Sequence, residues 1–167
     1  YKQLADALDN LPIPMLFWDK DDKLITSNKK SREFHKNYSI KLDNGSTWQN
    51  LFENQLKKNI YVIPKNIDVK KFAKQRANLR KKLLSSSQRE VKLRDGTTNL
   101  SSEIRLEDGS LLSVFTDISD IKEREGKLTQ LTDAIEILPN DVMLWDKQNN
   151  LVMANKIARE KQKKYGF

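Results

Sequence analysis

The spacing of apolar residues along this chain switches from helical to strand-like and back. Tyr1, Leu4, Leu8 and Leu11 stand three, four and three apart, the a/d stripe of a helix already running at residue 1. Pro12 stops it. Ile13 to Asp19 is a run of large apolar side chains that predicts a buried strand; polar Lys20 to Asp22 then turn into a second strand, Lys23 to Ser27, to make a hairpin. Asn28 suits the N-cap of a helix through Tyr38, because its short side chain accepts from first-turn amides. After a loop at 43–46, Thr47 or its neighbour starts a short helix carrying Trp48, Leu51, Phe52 and Leu56. Pro64 ends the apolar stretch 60–63, and Asn66 to Leu84 predicts a long basic helix with Val69, Phe72, Ala73, Leu79 and Leu83 on its dry side. From Ser87 the period falls to two. Gln88 to Arg94, Thr97 to Leu106 and Ser110 to Asp117 predict a three-stranded meander, turned at Asp95-Gly96 and Glu107-Asp108-Gly109. A hairpin and a later meander, with helices between them covering one face, predict an α+β domain.

The opening pattern then returns. Leu4 to Ile40 lies on Leu131 to Phe167 without a gap at an offset of 127, with 15 identical positions, among them Leu11-Pro12 with Leu138-Pro139 and Trp18-Asp19-Lys20 with Trp145-Asp146-Lys147. That period is too long for a solenoid unit and suits a domain plus its linker. The a/d stripe recurs at Leu128, Leu131, Ile135 and Leu138 and extends back to Ile121, although Arg124 falls on a d position and Gly126 weakens the helix. The expected division is a coiled-coil helix at 1–11, a domain at 12–119, a linking helix at 120–138 and the opening of a second domain at 139–167. That last segment supplies a hairpin and a helix without a meander, so it is expected either to be disordered or to borrow surface from another copy.

Composition narrows the class. Of the 167 residues 37% are hydrophobic and 32% charged, and the mean hydropathy is -0.74, which describes a modest core under a heavily charged surface. No apolar run reaches membrane-spanning length, so no membrane segment is expected. The net charge is +8, with ten basic residues and one acid, Asp68, between Lys57 and Lys82. No aromatic pattern for base stacking accompanies them, so a solvated helix face is preferred and no nucleic-acid partner is expected.

Catalytic chemistry is sparse. With no cysteine and one histidine, His35, the nucleophile–base pairs are limited to serine with that single imidazole. His35 reads as a surface or satisfied boundary residue. No glycine-rich phosphate loop and no metal-ligand spacing occurs, so no catalytic or metal site is assigned.

Taken in order, these motifs resemble the PAS sensor family: Leu11-Pro12 through Trp18-Asp19, Asn28 after the second strand, Arg94-Asp95-Gly96, Glu107-Asp108-Gly109, and the closing run from Thr116 to Glu125. The last is similar to the family's D-I-T signature, with Ser119 in place of threonine. The resemblance implies a PAS-like five-stranded antiparallel sheet with helices on one face, flanked by coiled-coil signalling helices. It also implies a non-catalytic sensory and dimerisation module in a cytoplasmic, bacterial-type multidomain signalling protein. A cysteinyl-flavin cofactor is disfavoured by the lack of cysteine, and histidine-ligated haem by the lack of histidine in the long helix; the cofactor is otherwise unknown. A small organic ligand between sheet and helices remains, with Phe17, Ile25, Phe34, Trp48, Leu51, Phe72 and Phe115 as candidate pocket residues, unless they simply fill the core. Trp18, Asp19, Asp117 and Ser119 are candidate relay residues; one of the two aspartates is expected to accept the Trp18 indole N–H. Expected partners are a second copy of the chain and a downstream output domain. Two alternatives stay open: a regulatory segment of a histidine kinase or of a nucleotide or diguanylate cyclase, and a dimerisation scaffold that binds no ligand.

Overall fold

A computed structural model describes residues 2–165; Tyr1, at the head of the first stripe, and the last two residues lie outside them. The chain divides into two compact units, Tyr1–Ser119 and Asp120–Phe167.

In the first unit the elements run α1 (Lys2–Asp9), β1 (Met15–Trp18), β2 (Leu24–Ser27), α2 (Lys29–Asn37), α3 (Trp48–Lys57), α4 (Val69–Lys81), β3 (Ser86–Lys92), β4 (Thr98–Arg105) and β5 (Leu111–Asp117). The five strands form one antiparallel sheet in the order β2-β1-β5-β4-β3. Hairpin and meander therefore join through β1 and β5, where Met15 faces Val114 and Trp18 faces Leu111. The meander turns as its sequence requires: Gly96 and Gly109 have φ of 95° and 85°, a region that a side chain disfavours.

Each helix begins at a residue suited to begin it. Asn28, Thr47 and Asp68 accept from the backbone N–H groups of Ser31, Asn50 and Lys71. Asn28 does more than cap. Its Oδ1 also accepts from Met15 N at 2.9 Å and its Nδ2 donates to Ile13 O at 2.8 Å, which ties the start of α2 to the chain entering β1. The core is built from Leu16, Trp18, Leu24, Ile40, Leu51, Ile60, Leu93 and Leu111, between the sheet and the helices.

The basic helix is shorter than expected and turned about its axis. Its buried side chains are Ala73, Ala77 and Arg80, whereas Leu79 is exposed. The governing stripe is Phe72/Ala73, Arg76/Ala77 and Arg80, because Ala allows close approach to α3 and Arg80 finds buried carboxylates to pair with.

The second unit contains α5 (Ser119–Glu136, which begins at the last residue of the first unit), β6 (Met143–Trp145), β7 (Leu151–Ala154) and α6 (Lys156–Tyr165). Helix α5 ends two residues short of Leu138. Ile121, Leu128, Leu131 and Leu138 are exposed and Ile135 is half-buried. The sequence repeat is also a repeat of hydrogen bonds. Asn155 accepts from Val142 N and Ala158 N and donates to Asn140 O, each partner 127 positions from its counterpart around Asn28. Arg159 pairs with Glu136 and donates to Ala154 O, as Arg32 does with Asp9 and Ser27 O. The register shift between Phe17 and Trp18 recurs between Leu144 and Trp145.

Candidate functional site: an aromatic cavity with a directed polar network

In the first unit a cavity of about 310 Å³ lies between the sheet and the helices. Its floor is set by strand alternation: β1 contributes Leu16 and Trp18, β5 contributes Phe115, and β4 contributes Asn99, Ser101 and Glu103 at every second position. The β4 residues break the usual rule that an inward strand face is apolar. The roof comes from Phe34 and His35 of α2, Trp48, Leu51, Phe52 and Gln55 of α3, and Phe72 and Arg76 of α4, with Tyr61 to Pro64 closing one side. Trp48 and Phe52 stack with centroids 4.8 Å apart, and Phe52 also meets Tyr61 and Phe72.

Phe34, Trp48, Leu51, Phe72 and Phe115 line this cavity. Phe17 and Ile25 do not. Phe17 sits between inward-facing Leu16 and Trp18, and Ile25 follows buried Leu24 and is 43% exposed; the two-residue period of a strand puts both on the opposite face.

His35 is not at the surface but fully buried and hydrogen-bonded through both ring nitrogens. Nδ1 lies 2.7 Å from Ser31 O, and Nε2 lies 2.9 Å from Nε2 of Gln55. Oε1 of Gln55 accepts from the Tyr61 hydroxyl at 3.0 Å. Burial pushes the His35 pKa down, against the opposing pull of its bond to Ser31 O, because the charged imidazolium loses its hydration there. Burial likewise pushes the Tyr61 hydroxyl up, so it keeps its proton.

A second polar group lies behind the aromatic wall. Arg80 is only 4% exposed. Its Nε donates to Glu103 Oε1 at 2.7 Å, Nη1 donates to Asp22 Oδ1, and Nη2 donates to Ser113 Oγ at 3.0 Å. The guanidinium carbon is 5.1 Å from the Trp18 ring centroid and 5.2 Å from that of Trp48, within cation–π range of both. One side chain thus joins α4, the β1–β2 turn, β4 and β5. Asp22 reaches it from a backbone with φ of 61°. Burial raises the Asp22 pKa more than Arg80 lowers it, and its Oδ2 is buried without a partner.

The Trp18 indole donates to Ser113 Oγ at 3.0 Å rather than to Asp19 or Asp117. Both aspartates instead order turns. Asp19 Oδ1 accepts from Asp21 N and Lys23 N. Asp117 accepts from Ser119 N, and its bonds to Ser119 hold its carboxyl below the ordinary value. Ser119 Oγ in turn accepts from Thr98 N at 2.9 Å, joining the start of β4 to the start of α5. Sequence reasoning missed Asp22, Gln55, Tyr61, Arg80, Glu103 and Ser113. The available signal was the alternating polar face of β4 and the phase of Arg80 with Ala73 and Ala77.

Among the described residues no group of three His, Cys, Asp or Glu side chains is placed to hold a metal ion, and no helix is long and apolar enough to cross a membrane. No protein-family model and no curated protein matches the chain. Solved structures do. The PAS domain of Bordetella pertussis BvgS aligns over 80% of this chain and 96% of its own, at 15% identity and a TM-score of 0.49. The PAS domain of an HTR-like protein from Haloarcula marismortui aligns over 70% of this chain and 96% of its own, at 16% identity and a TM-score of 0.36. A structure of the phage VqmA-DPO complex aligns over 78% and 58%, at 14% identity and a TM-score of 0.47. Its five-stranded antiparallel sheet, with helices inserted between the hairpin and the meander, gives the first unit an α+β, PAS-like fold.

Proposed function

We propose that the first unit is a non-catalytic sensory module that takes a small organic ligand in its cavity and passes the change into α5. The observation that carries this reading is the cavity itself. A well-packed domain leaves few voids larger than a water molecule, whereas this one keeps about 310 Å³ between stacked aromatic rings and a directed set of polar groups. That size and mixture match small-molecule sites. A ligand touching Glu103 would act on Arg80, and through Ser113 on β5, whose far end carries Asp117 and the Ser119–Thr98 bond. Two packings of α5 differing by a few kcal/mol would suffice for a response. In this reading the domain covers 12–119, the helix at 120–138 couples it to a second PAS-like segment at 139–167, and the protein is a cytoplasmic, bacterial-type homodimer that governs an output domain such as a kinase or cyclase.

The test is mass spectrometry of gently purified protein after denaturing extraction, followed by a binding screen. A stoichiometric small molecule retained by the wild type and lost from Leu51→Trp, which fills the cavity, supports the reading. Wild-type protein that carries no molecule and binds none of indole, benzamide or benzamidine overturns it.

A second reading, a dimerisation scaffold without a ligand, is favoured by the exposed stripe Ile121, Leu128 and Leu131 on α5. It predicts self-association that is insensitive to cavity-filling substitutions.

A further inference from the structure

We propose that the cavity selects flat aromatic molecules that bring N–H or O–H donors, neutral or cationic, and rejects carboxylates. The inference rests on the reading of the cavity as a ligand site and names the class of ligand.

The direction of the His35–Gln55–Tyr61 chain is forced from one end. Ser31 O is a backbone carbonyl and can only accept, so His35 Nδ1 carries the proton of the neutral ring. His35 Nε2 is then a lone pair, and the Gln55 group 2.9 Å from it must be the amide nitrogen. That leaves Gln55 Oε1 toward Tyr61, whose hydroxyl proton is engaged at 3.0 Å. Tyr61 therefore meets the cavity with lone pairs only.

Glu103 offers a second acceptor. Its Oε1 takes the bond from Arg80 Nε, which leaves Oε2 without a hydrogen bond among the described residues, and the side chain lines the cavity wall. Arg80 itself directs Nε, Nη1 and Nη2 to Glu103, Asp22 and Ser113. A ligand carboxylate placed against Glu103 and Tyr61 would meet a like charge and acceptors without donors. An amidine or amide nitrogen would satisfy both.

The aromatic walls add flatness to the requirement. Trp48 and Phe52 lie within 22° of parallel, and Phe72 tilts 38° from Phe52 at 6.1 Å; these packed rings line the cavity as a rigid aromatic surface against which a planar group packs. Arg76 also lines the cavity, half-buried, while Arg89 and Lys92 of β3 are exposed where they reach it. An anion held by Arg76 is the rival outcome.

Three isosteric probes separate these cases: benzamidine, benzamide and benzoate, with indole as a flat probe of low polarity, each titrated into the full chain by ligand-detected NMR. Benzamidine is expected to bind at least tenfold more tightly than benzoate, with benzamide between them. Glu103→Gln and Tyr61→Phe should each reduce that preference several-fold; if Glu103→Gln fails to fold, Tyr61→Phe alone decides. Benzoate binding as tightly as benzamidine, or a preference untouched by the folded variants, overturns the donor-selective site. Indole bound in the wild type and lost in Leu51→Trp, without any preference among the three, sinks only the ligand class. No binding by any probe removes the ligand-site reading with it.

Discussion

Replacing Arg80 by methionine keeps most of the side-chain volume and removes the cation that hydrogen-bonds both Asp22 and Glu103. The structure sets the size of the effect. Arg80 is buried, two of its three bonds go to carboxylates that are themselves buried, and Asp22 Oδ2 already lacks a partner. Removing one partner of a buried ion pair leaves an uncompensated charge and costs about 3–5 kcal/mol. Arg32 is the internal control: its pair with Asp9 is half-exposed, and such pairs contribute about 1 kcal/mol or less. Against a typical domain stability of about 5–15 kcal/mol, Arg80→Met should remove a large part, equivalent to about 12–20 °C in Tm at roughly 4 °C per kcal/mol. The loss should also depend on pH in a definite sense. A carboxyl whose folded pKa is raised binds its proton more tightly in the folded state, so its contribution to stability falls as pH rises from near the ordinary value of 3.8 through the folded pKa. Without Arg80 that pKa rises further, so the gap between variant and wild type should narrow as pH falls toward 4. Urea denaturation of wild type, Arg80→Met and Arg32→Met at pH 7 and pH 4.5 measures both effects. Adding Asp22→Asn and Glu103→Gln to Arg80→Met should recover most of the loss. A cost no larger than that of Arg32→Met, or a gap that widens in acid, would refute the reasoning.

Three further outcomes are expected. Asn28→Ala deletes a cap and leaves Met15 N and Ile13 O without their side-chain partner; a loss of about 2–3 kcal/mol, well above the roughly 1 kcal/mol of an ordinary cap, should appear in urea midpoints. His35 has a folded pKa below its ordinary 6.5, so the unfolded chain takes the proton first and stability falls as pH drops below 6.5. Between pH 7.5 and 5.5 the wild type should therefore lose more stability than His35→Gln, and equal slopes would count against a buried neutral imidazole. Leu131→Glu, on the exposed stripe of α5, should lower self-association in sedimentation velocity without changing the melt of the first unit; an unchanged association constant would exclude that stripe as the contact.

What the sequence made legible is what short spacings determine. The helix starts at Asn28 and near Thr47, the turns at Gly96 and Gly109, and the hairpin before Asn28 each depend on residues a few positions apart, and the alternation from Ser87 onward located the meander; the long helix starts after Asp68 rather than at the expected Asn66. Five of the seven candidate pocket residues reach the cavity because they are large, apolar and placed between sheet and helices. Phe17 and Ile25 miss it because hydrophobicity alone does not say which face of a two-residue period is inward. Arg80 was concealed by its surroundings. Among ten basic residues it looks like one more solvated side chain, and only Asp22 and Glu103, 58 and 23 positions away, make its burial favourable.

The internal repeat separates these two kinds of information within one chain. Trp18 and Trp145 share the same Asp-Lys successors, the same preceding bulge and the same antiparallel pairing to the next strand, through Leu24 and Leu151. The asparagines that follow, Asn28 and Asn155, make matching bonds. Yet Trp18 is 0% exposed and Trp145 is 53% exposed. The local code gives the same hairpin, cap and turn twice; what differs lies far along the chain from Trp18. Ser113, 95 residues on, accepts its indole N–H, β5 covers the open edge of β1, and Arg80 stacks on its ring. Among the described residues of the second unit β6 pairs only with β7. Burial of the tryptophan, and with it the cavity floor, is thus a property of the closed five-stranded sheet.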